Sequence, residues 1–200
     1  MNVPNLITLS RVPLLFLVAL VLYLPFWGMD WLALALYVVA ALSDWLDGYW
    51  ARRFNVVSTF GKLMDALTDK ILTVGLFVLL LAADITPEWT LAFVLIILAR
   101  EFFVTGLRLV AVARGTVLAA EKAGKIKTFA QMFAIGFLLF AHALDPTRLA
   151  DGTLATVHDL AYWIGMTLYS LAAALTAYSG WFYTNKYRYL ILDKELPDAQ

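Results

Sequence analysis

Cysteine is absent from the chain. That removes disulfides, thiolate catalysis and cysteine-ligated metal together, and leaves the redox compartment undecided. Histidine is scarce too: only His142 and His158 occur, too few for a histidine-rich metal centre. Any bound metal must be held by carboxylates, which favours hard cations such as Mg2+, Mn2+ or Ca2+. Charge of either sign is thin, at 15% of residues against about 25% in typical globular domains. The formal net charge is zero, so the chain lacks the basic footprint of a nucleic-acid partner. Residues 1–10 have no basic n-region, and no small-residue cleavage site follows the first apolar run, so this segment reads as retained.

What the chain does have is apolar surface. Hydrophobic residues make up 62% of it, more than a water-soluble domain of this size could cover, and this places it in a lipid bilayer. A helix needs about 20 mostly apolar residues to cross. Six such stretches occur, at about 6–26, 31–50, 62–83, 89–110, 127–144 and 158–183. Their short connections predict an all-α integral membrane bundle of six transmembrane helices, a single domain over residues 1–200, with a polar tail from Arg188 to Gln200.

Charge orients this bundle. The three connections on one side hold Asp30, Asp84, Glu88, Asp145, Asp151 and Asp159, with Arg148 as their one basic residue. The remaining Lys and Arg lie in or near the N-terminus, the 50–62 and 108–127 connections and the C-terminus. By the positive-inside rule the basic side is cytoplasmic, and an even number of spans puts both termini there. Trp27, Trp31 and Trp89 at the outer ends, and Trp50 and Trp181 near the inner ends, suit interfacial anchors. The expected location is the inner (cytoplasmic) membrane, multi-pass, with the active site facing the cytoplasm.

Within the second and third stretches lie Asp44 and Asp47, three apart, and Asp65 and Asp69, four apart, so each pair shares one face of its helix. Counted from a turn near residue 56 or 57, Asp44 and Asp69 are about 12 residues away, and Asp47 and Asp65 about nine. At a rise of about 1.5 Å per residue, an antiparallel hairpin would set all four at nearly one depth, toward the cytoplasmic side. One aspartate at mid-span costs about 2.5–3.5 kcal/mol even on the milder insertion scales. A divalent cation, or two, would compensate the cluster, and diphosphate oxygens are the usual partners of such cations. Gly48, Ala51 and Gly61 continue the same faces and leave room for a bulky ligand. Pairing with Arg52, Lys62 or Lys70 would account for one aspartate but not for four.

The full spacing, D-x2-D-G-x2-A-R-x8-G-x3-D-x3-D from Asp44 to Asp69, resembles at every position the signature of the CDP-alcohol phosphatidyltransferases. The resemblance implies that Asp44, Asp47 and Asp65 ligate a pair of metal ions, Mg2+ or Mn2+. Asp69 would lie near the metals and serve as general base. Gly48, Ala51, Arg52 and Gly61 would line the site for the cytidine diphosphate of CDP-diacylglycerol. Asn5, Thr8 and Arg11 match the family's N-terminal segment; donor contact and an interfacial helix are both open for them. Six spans with cytoplasmic termini agree with the family, and a homodimer is one option for its assembly.

The acceptor is set elsewhere. Arg100 and Arg108, eight apart, lie on one side of the fourth helix. Arg100 is about 12 residues from the outer end, inside the membrane, and needs an anion or Glu101. Lys125 and Lys127 open the fifth helix, whose N-terminal dipole also favours an anion. Arg100, Arg108, Lys125 and Lys127 therefore suit a phosphorylated acceptor. The stretches N-L-I-T-L-S-R, R-E-F-F-V-T-G-L-R and A-G-K-I-K-T-x-x-Q-M resemble those of the family's branch that uses glycerol 3-phosphate. Rival readings within the family are cardiolipin, phosphatidylserine and phosphatidylinositol-phosphate synthesis. A divalent-cation transporter is the rival from another class, but it would need a polar path, and 31–42 and 72–83 are almost wholly apolar. His142 and His158 are expected to lie apart from the chemistry.

Overall fold

The computed structural model describes residues 3–26, 28–54, 59–114, 122–144 and 152–188. Side-chain surroundings are described for all of these except 3–9, 44–54, 59–63, 65, 66, 122, 123, 125 and 152. The described residues form helices and turns with no strand: α1 (Val3–Leu22), α2 (Met29–Phe54), α3 (Thr59–Ala82), α4 (Leu91–Ala113), α5 (Lys122–Ala143) and α6 (Gly152–Lys186). A short 3-10 turn, Glu88–Thr90, leads into α4.

Three segments, Glu88–Ala113, Ile126–Ala143 and Thr153–Lys186, are long and apolar enough to cross a membrane, and Ser10–Leu22 and Met29–Ser43 are shorter apolar helices. The helices fall in the expected order, but their ends do not follow the apolar stretches. α1 stops at Leu22 rather than near 26, α2 continues to Phe54, and α6 runs for 35 residues from Gly152 instead of starting near 158. Hydropathy marks the part of a helix that lipid could cover, whereas the backbone ladder continues until a turn stops it.

Those turns are specific. Gly28, with φ 86°, makes the left-handed bend before α2 that a side chain would disfavour. Asp84, with φ 55°, closes α3 in a Schellman arrangement. The Ile85 N–H donates to Leu80 O at 2.9 Å and the Asp84 N–H to Leu81 O at 3.2 Å.

The packing is that of a bundle. α5 lies along α6, α1 packs on both α2 and α3, α4 packs on α6, and α5 reaches α2 and α3. Among the described residues α2 meets the bundle mainly through α1 and α5, and α3 through α1, α4 and α5. Close approach of α5 and α6 depends on Gly165, where an added Cβ would sit 2.8 Å from Leu138 Cγ. Small residues serve this purpose in membrane bundles, where apolar burial alone drives little association. At the centre Phe77 of α3 stacks on Tyr169 of α6 with centroids 4.3 Å apart, and Phe93 of α4 meets the same ring edge-on at 5.4 Å. Such pairs contribute roughly 0.5–1.5 kcal/mol each beyond burial. The Tyr37 hydroxyl donates to Met132 O at 2.5 Å, tying α2 to α5.

The outward surface is apolar: Phe16, Leu20, Phe129, Phe133, Leu160 and Trp181 are all exposed. At the end of the bundle away from the aspartates, His142 Nε2 lies 3.3 Å from Asp30 Oδ1, linking α5 to α2. His158 pairs with its neighbour Asp159 at 3.0 Å.

Candidate active site

Helix register brings the polar residues together. Asp69 lies 13 residues before the end of α3, and Arg100 lies nine residues after the start of α4. At about 1.5 Å per residue the two antiparallel helices place them at similar depth. Arg108 and Lys127 lie equally far, five residues, from the inner ends of α4 and α5. The result is a cavity of about 150 Å3 lined by Asp69 and Lys70 of α3, by Arg100, Glu101 and Arg108 of α4, and by Lys127 of α5. Gly124 and Thr128 of α5 and Ser179 and Tyr183 of α6 complete it.

At its centre is Glu101, which is buried. Its carboxylate receives three cations from three helices: Lys70 Nζ at 3.8 Å, Arg100 Nη1 at 3.2 Å, and the ammonium of Lys127. Lys127 is itself buried, on the α5 face turned into the bundle. The expected Arg100–Glu101 pair is present, but it is one contact of a cluster. Removing one partner of such a buried group typically destabilises by about 3–5 kcal/mol, because the remaining charges lose compensation. Four basic side chains face two acidic ones around the cavity, so it carries an excess of positive charge suited to an anion such as a phosphate dianion.

Two α4 arginines are shaped by α6. The Arg108 Nε–H donates to the Tyr183 hydroxyl at 3.3 Å, and its guanidinium carbon lies 5.6 Å from the centre of that ring. The stem of Arg100 crosses Gly180, where an added Cβ would fall 2.8 Å from Arg100 Cγ.

The structure thus gathers Asp69, Arg100, Arg108 and Lys127 into one site. Asp44 and Asp47 fall on α2 and Asp65 on α3, one turn before Asp69. The side chains of Asp44, Asp47 and Asp65 lie outside the described residues, as do the surroundings of Asn5, Thr8, Gly48, Ala51, Arg52, Gly61 and Lys125. Arg11 of α1 is fully buried, which removes it from any interfacial surface. Among the described residues no group of three acidic or histidine side chains forms a metal site. The donor set still fits a hard cation, since Asp69 opens on the cavity and the other three positions follow at helical spacing on α2 and α3.

Sequence reasoning treated Glu101 only as a neutraliser for Arg100 and Lys70 only as a structural partner, and it missed Ser179 and Tyr183. Lys70 and Glu101 each lie one position from a residue the pattern does single out: Lys70 follows Asp69 directly and Glu101 follows Arg100 directly. A buried acid between basic residues of neighbouring helices is a signal of this kind. Ser179 and Tyr183, four apart in an apolar helix, carry none.

An all-helical apolar bundle that gathers cations round a buried carboxylate, beside aspartates at one-turn spacing, defines a membrane-type protein with a polar, cation-rich cavity. The family model for CDP-alcohol phosphatidyltransferase matches residues 1–178, and the chain belongs to that family. The family is, in general, dependent on divalent cations. Curated relatives include the CDP-diacylglycerol–glycerol-3-phosphate 3-phosphatidyltransferase of Bacillus subtilis (strain 168), 41% identical over 197 residues, covering 92% of this chain and 94% of the relative. The enzyme of the same name from Pectobacterium atrosepticum is 33% identical over 195 residues, covering 96% and 98%. That of Cereibacter sphaeroides is 32% identical over 213 residues, covering 92% and 95%.

Proposed function

We propose that this chain transfers the phosphatidyl group of CDP-diacylglycerol to glycerol 3-phosphate, giving phosphatidylglycerol phosphate and CMP. The observation that carries the choice of acceptor is the cavity in which Lys70, Arg100, Arg108 and Lys127 converge with Asp69. A phosphate monoester seated among those cations would bring its alcohol end toward Asp69. Serine, a zwitterion with no net charge, or free inositol would leave the excess positive charge of the cavity uncompensated.

Asp69 accepts the proton of the glycerol 1-hydroxyl, that oxygen attacks the lipid-linked phosphorus, and the bond to CMP breaks, CMP carrying away the electron pair. Asp44, Asp47, Asp65 and Asp69 would hold two divalent ions, Mg2+ or Mn2+, which supply neutralisation of the diphosphate charge. Gly48, Ala51, Arg52 and Gly61, with Asn5 and Thr8, would bind the donor, and Lys125 would add to the acceptor site. The whole chain acts as one domain. It spans the inner membrane six times with its termini and active site on the cytoplasmic side, so the acyl chains stay in lipid while the soluble substrate arrives from the cytosol. A C-terminal reporter should therefore read as cytoplasmic, and an external signal would overturn this topology. Among the described residues the outer halves of α2 and α3, with buried Ala33, Tyr37, Ala40, Leu76, Phe77 and Leu80, carry one charged group, Asp30 at the outer end beside His142. They so offer no continuous charged path for an ion, which favours an enzyme over a transporter.

The deciding experiment follows CMP release by the purified protein with CDP-diacylglycerol, divalent metal and a panel of acceptors. Glycerol 3-phosphate should support turnover. Arg100→Ala and Arg108→Lys should raise its KM by roughly ten- to hundredfold, as expected for a lost charge-assisted contact or bidentate fork. The donor KM should stay near its original value. If free glycerol or serine serves equally well, the acceptor is wrong and the transferase assignment remains.

A further inference from the structure

We infer that the inner end of α6, through Tyr183 and Gly180, is the element that positions Arg108 and Arg100 and so sets selectivity for a phosphorylated acceptor. The inference rests on the reading of the cavity as the acceptor-phosphate site. It concerns residues beyond position 178, where the match to the family model ends.

The two arginines stand in different situations. Arg108 is an exposed side chain on α4. A long exposed arginine samples many rotamers, and each must be given up when it grips a ligand. Tyr183 restricts that freedom. Its ring is 2% exposed and is clamped in a small apolar cluster with Val104, Leu107 and Ala111 of α4 and Tyr187 of α6. Its hydroxyl accepts from Arg108 Nε at 3.3 Å. With Nε directed to Tyr183, the terminal nitrogens of the guanidinium are left to meet the cavity. Pre-ordering of this kind raises affinity by reducing what binding must immobilise.

Arg100 is controlled by absence of bulk. Gly180 provides the space its stem crosses, and a methyl group there would meet Arg100 Cγ at 2.8 Å. The stem would have to move, and with it the guanidinium that bonds Glu101. The two α6 residues are three apart, so they lie on one face and address two points of α4 two turns apart. Tyr183 and Gly180 are positioning residues: they act through the arginines rather than on the reacting atoms.

The experiment is a set of kinetic double-mutant cycles on the full-length protein in detergent, reading KM for glycerol 3-phosphate, KM for CDP-diacylglycerol and kcat. Tyr183→Phe keeps the packed ring and removes the hydroxyl. It should raise the acceptor KM roughly three- to tenfold, within the range of one lost hydrogen bond, and leave the donor KM unmoved. In the Arg108→Lys background the same change should add little, because its effect travels through Arg108. Gly180→Ala should likewise raise the acceptor KM, and add little in the Arg100→Ala background. Additive effects in both cycles, or an unchanged acceptor KM in Tyr183→Phe and Gly180→Ala, would overturn the inference. If Arg100→Ala and Arg108→Lys themselves leave the acceptor KM unchanged, it is the reading of the cavity that fails. Should Gly180→Ala not fold, Tyr183→Phe, which preserves packing volume, decides alone.

Discussion

Asp69→Asn should lose most of kcat, by about 10²–10⁴-fold, the usual contribution of a positioned general base. Asparagine keeps the shape and cannot take the proton. The substitution also removes a negative charge from a cavity lined by Lys70, Arg100, Arg108 and Lys127, so binding of an anionic acceptor is not expected to weaken. The loss should therefore appear in kcat at saturating acceptor and not in its KM. Asp44→Asn and Asp65→Asn should behave differently, with a raised metal requirement accompanying the lost rate. Binding of CDP-diacylglycerol to the Asp69 variant distinguishes the roles. A loss of donor affinity as large as in Asp44→Asn would make Asp69 chiefly a metal ligand.

Removal of divalent cation should abolish turnover altogether, and added Mg2+ or Mn2+ should restore it. The size of this effect follows from two requirements on one ion site. In the proposed site, the carboxylates at 44, 47, 65 and 69 would, without a cation, repel one another and the approaching diphosphate. CMP would also leave without neutralisation of its charge. Neither loss can be made good by the cations around Glu101, because three of them are already directed to that carboxylate. Full turnover in excess EDTA would sink the metal proposal.

Much of this site could be read before any coordinates, for a physical reason. Charged residues in an apolar chain are few, so each carries information, and helical spacing says which of them share a face. Arg100, Arg108 and Lys127 were identified in that way, and they line one cavity with Asp69. Asp44, Asp47 and Asp65 were legible as a pattern, but their side chains lie outside the described residues. What could not be read depends on packing between distant helices. Tyr183 is one of nine tyrosines, and nothing local distinguishes it from Tyr178, which is exposed on the same helix. Only the contact of α6 with α4 gives it a role. Glu101 was visible as a neighbour of Arg100, yet its further bonds to Lys70 and Lys127 join residues 31 and 26 positions away. The helices α1, α2 and α6 end elsewhere than the apolar stretches for a different reason: a hydropathy window cannot see the turn that stops a backbone ladder.

The ion cluster around Glu101 also constrains how the bundle is assembled. Lys70, Arg100 and Lys127 come from three separate helices, and a lone charge in an inserted helix is unfavourable by about 2.5–3.5 kcal/mol at its centre. α4 carries Arg100 and Glu101 side by side, so these two charges offset one another within the helix. α3 carries Lys70 directly beside Asp69, so that lysine too has an acidic neighbour in its own helix, whereas Lys127 of α5 meets Glu101 only across helices. One carboxylate thus ties α3, α4 and α5 together, and the arrangement that lines the cavity also fixes the register of three helices against one another.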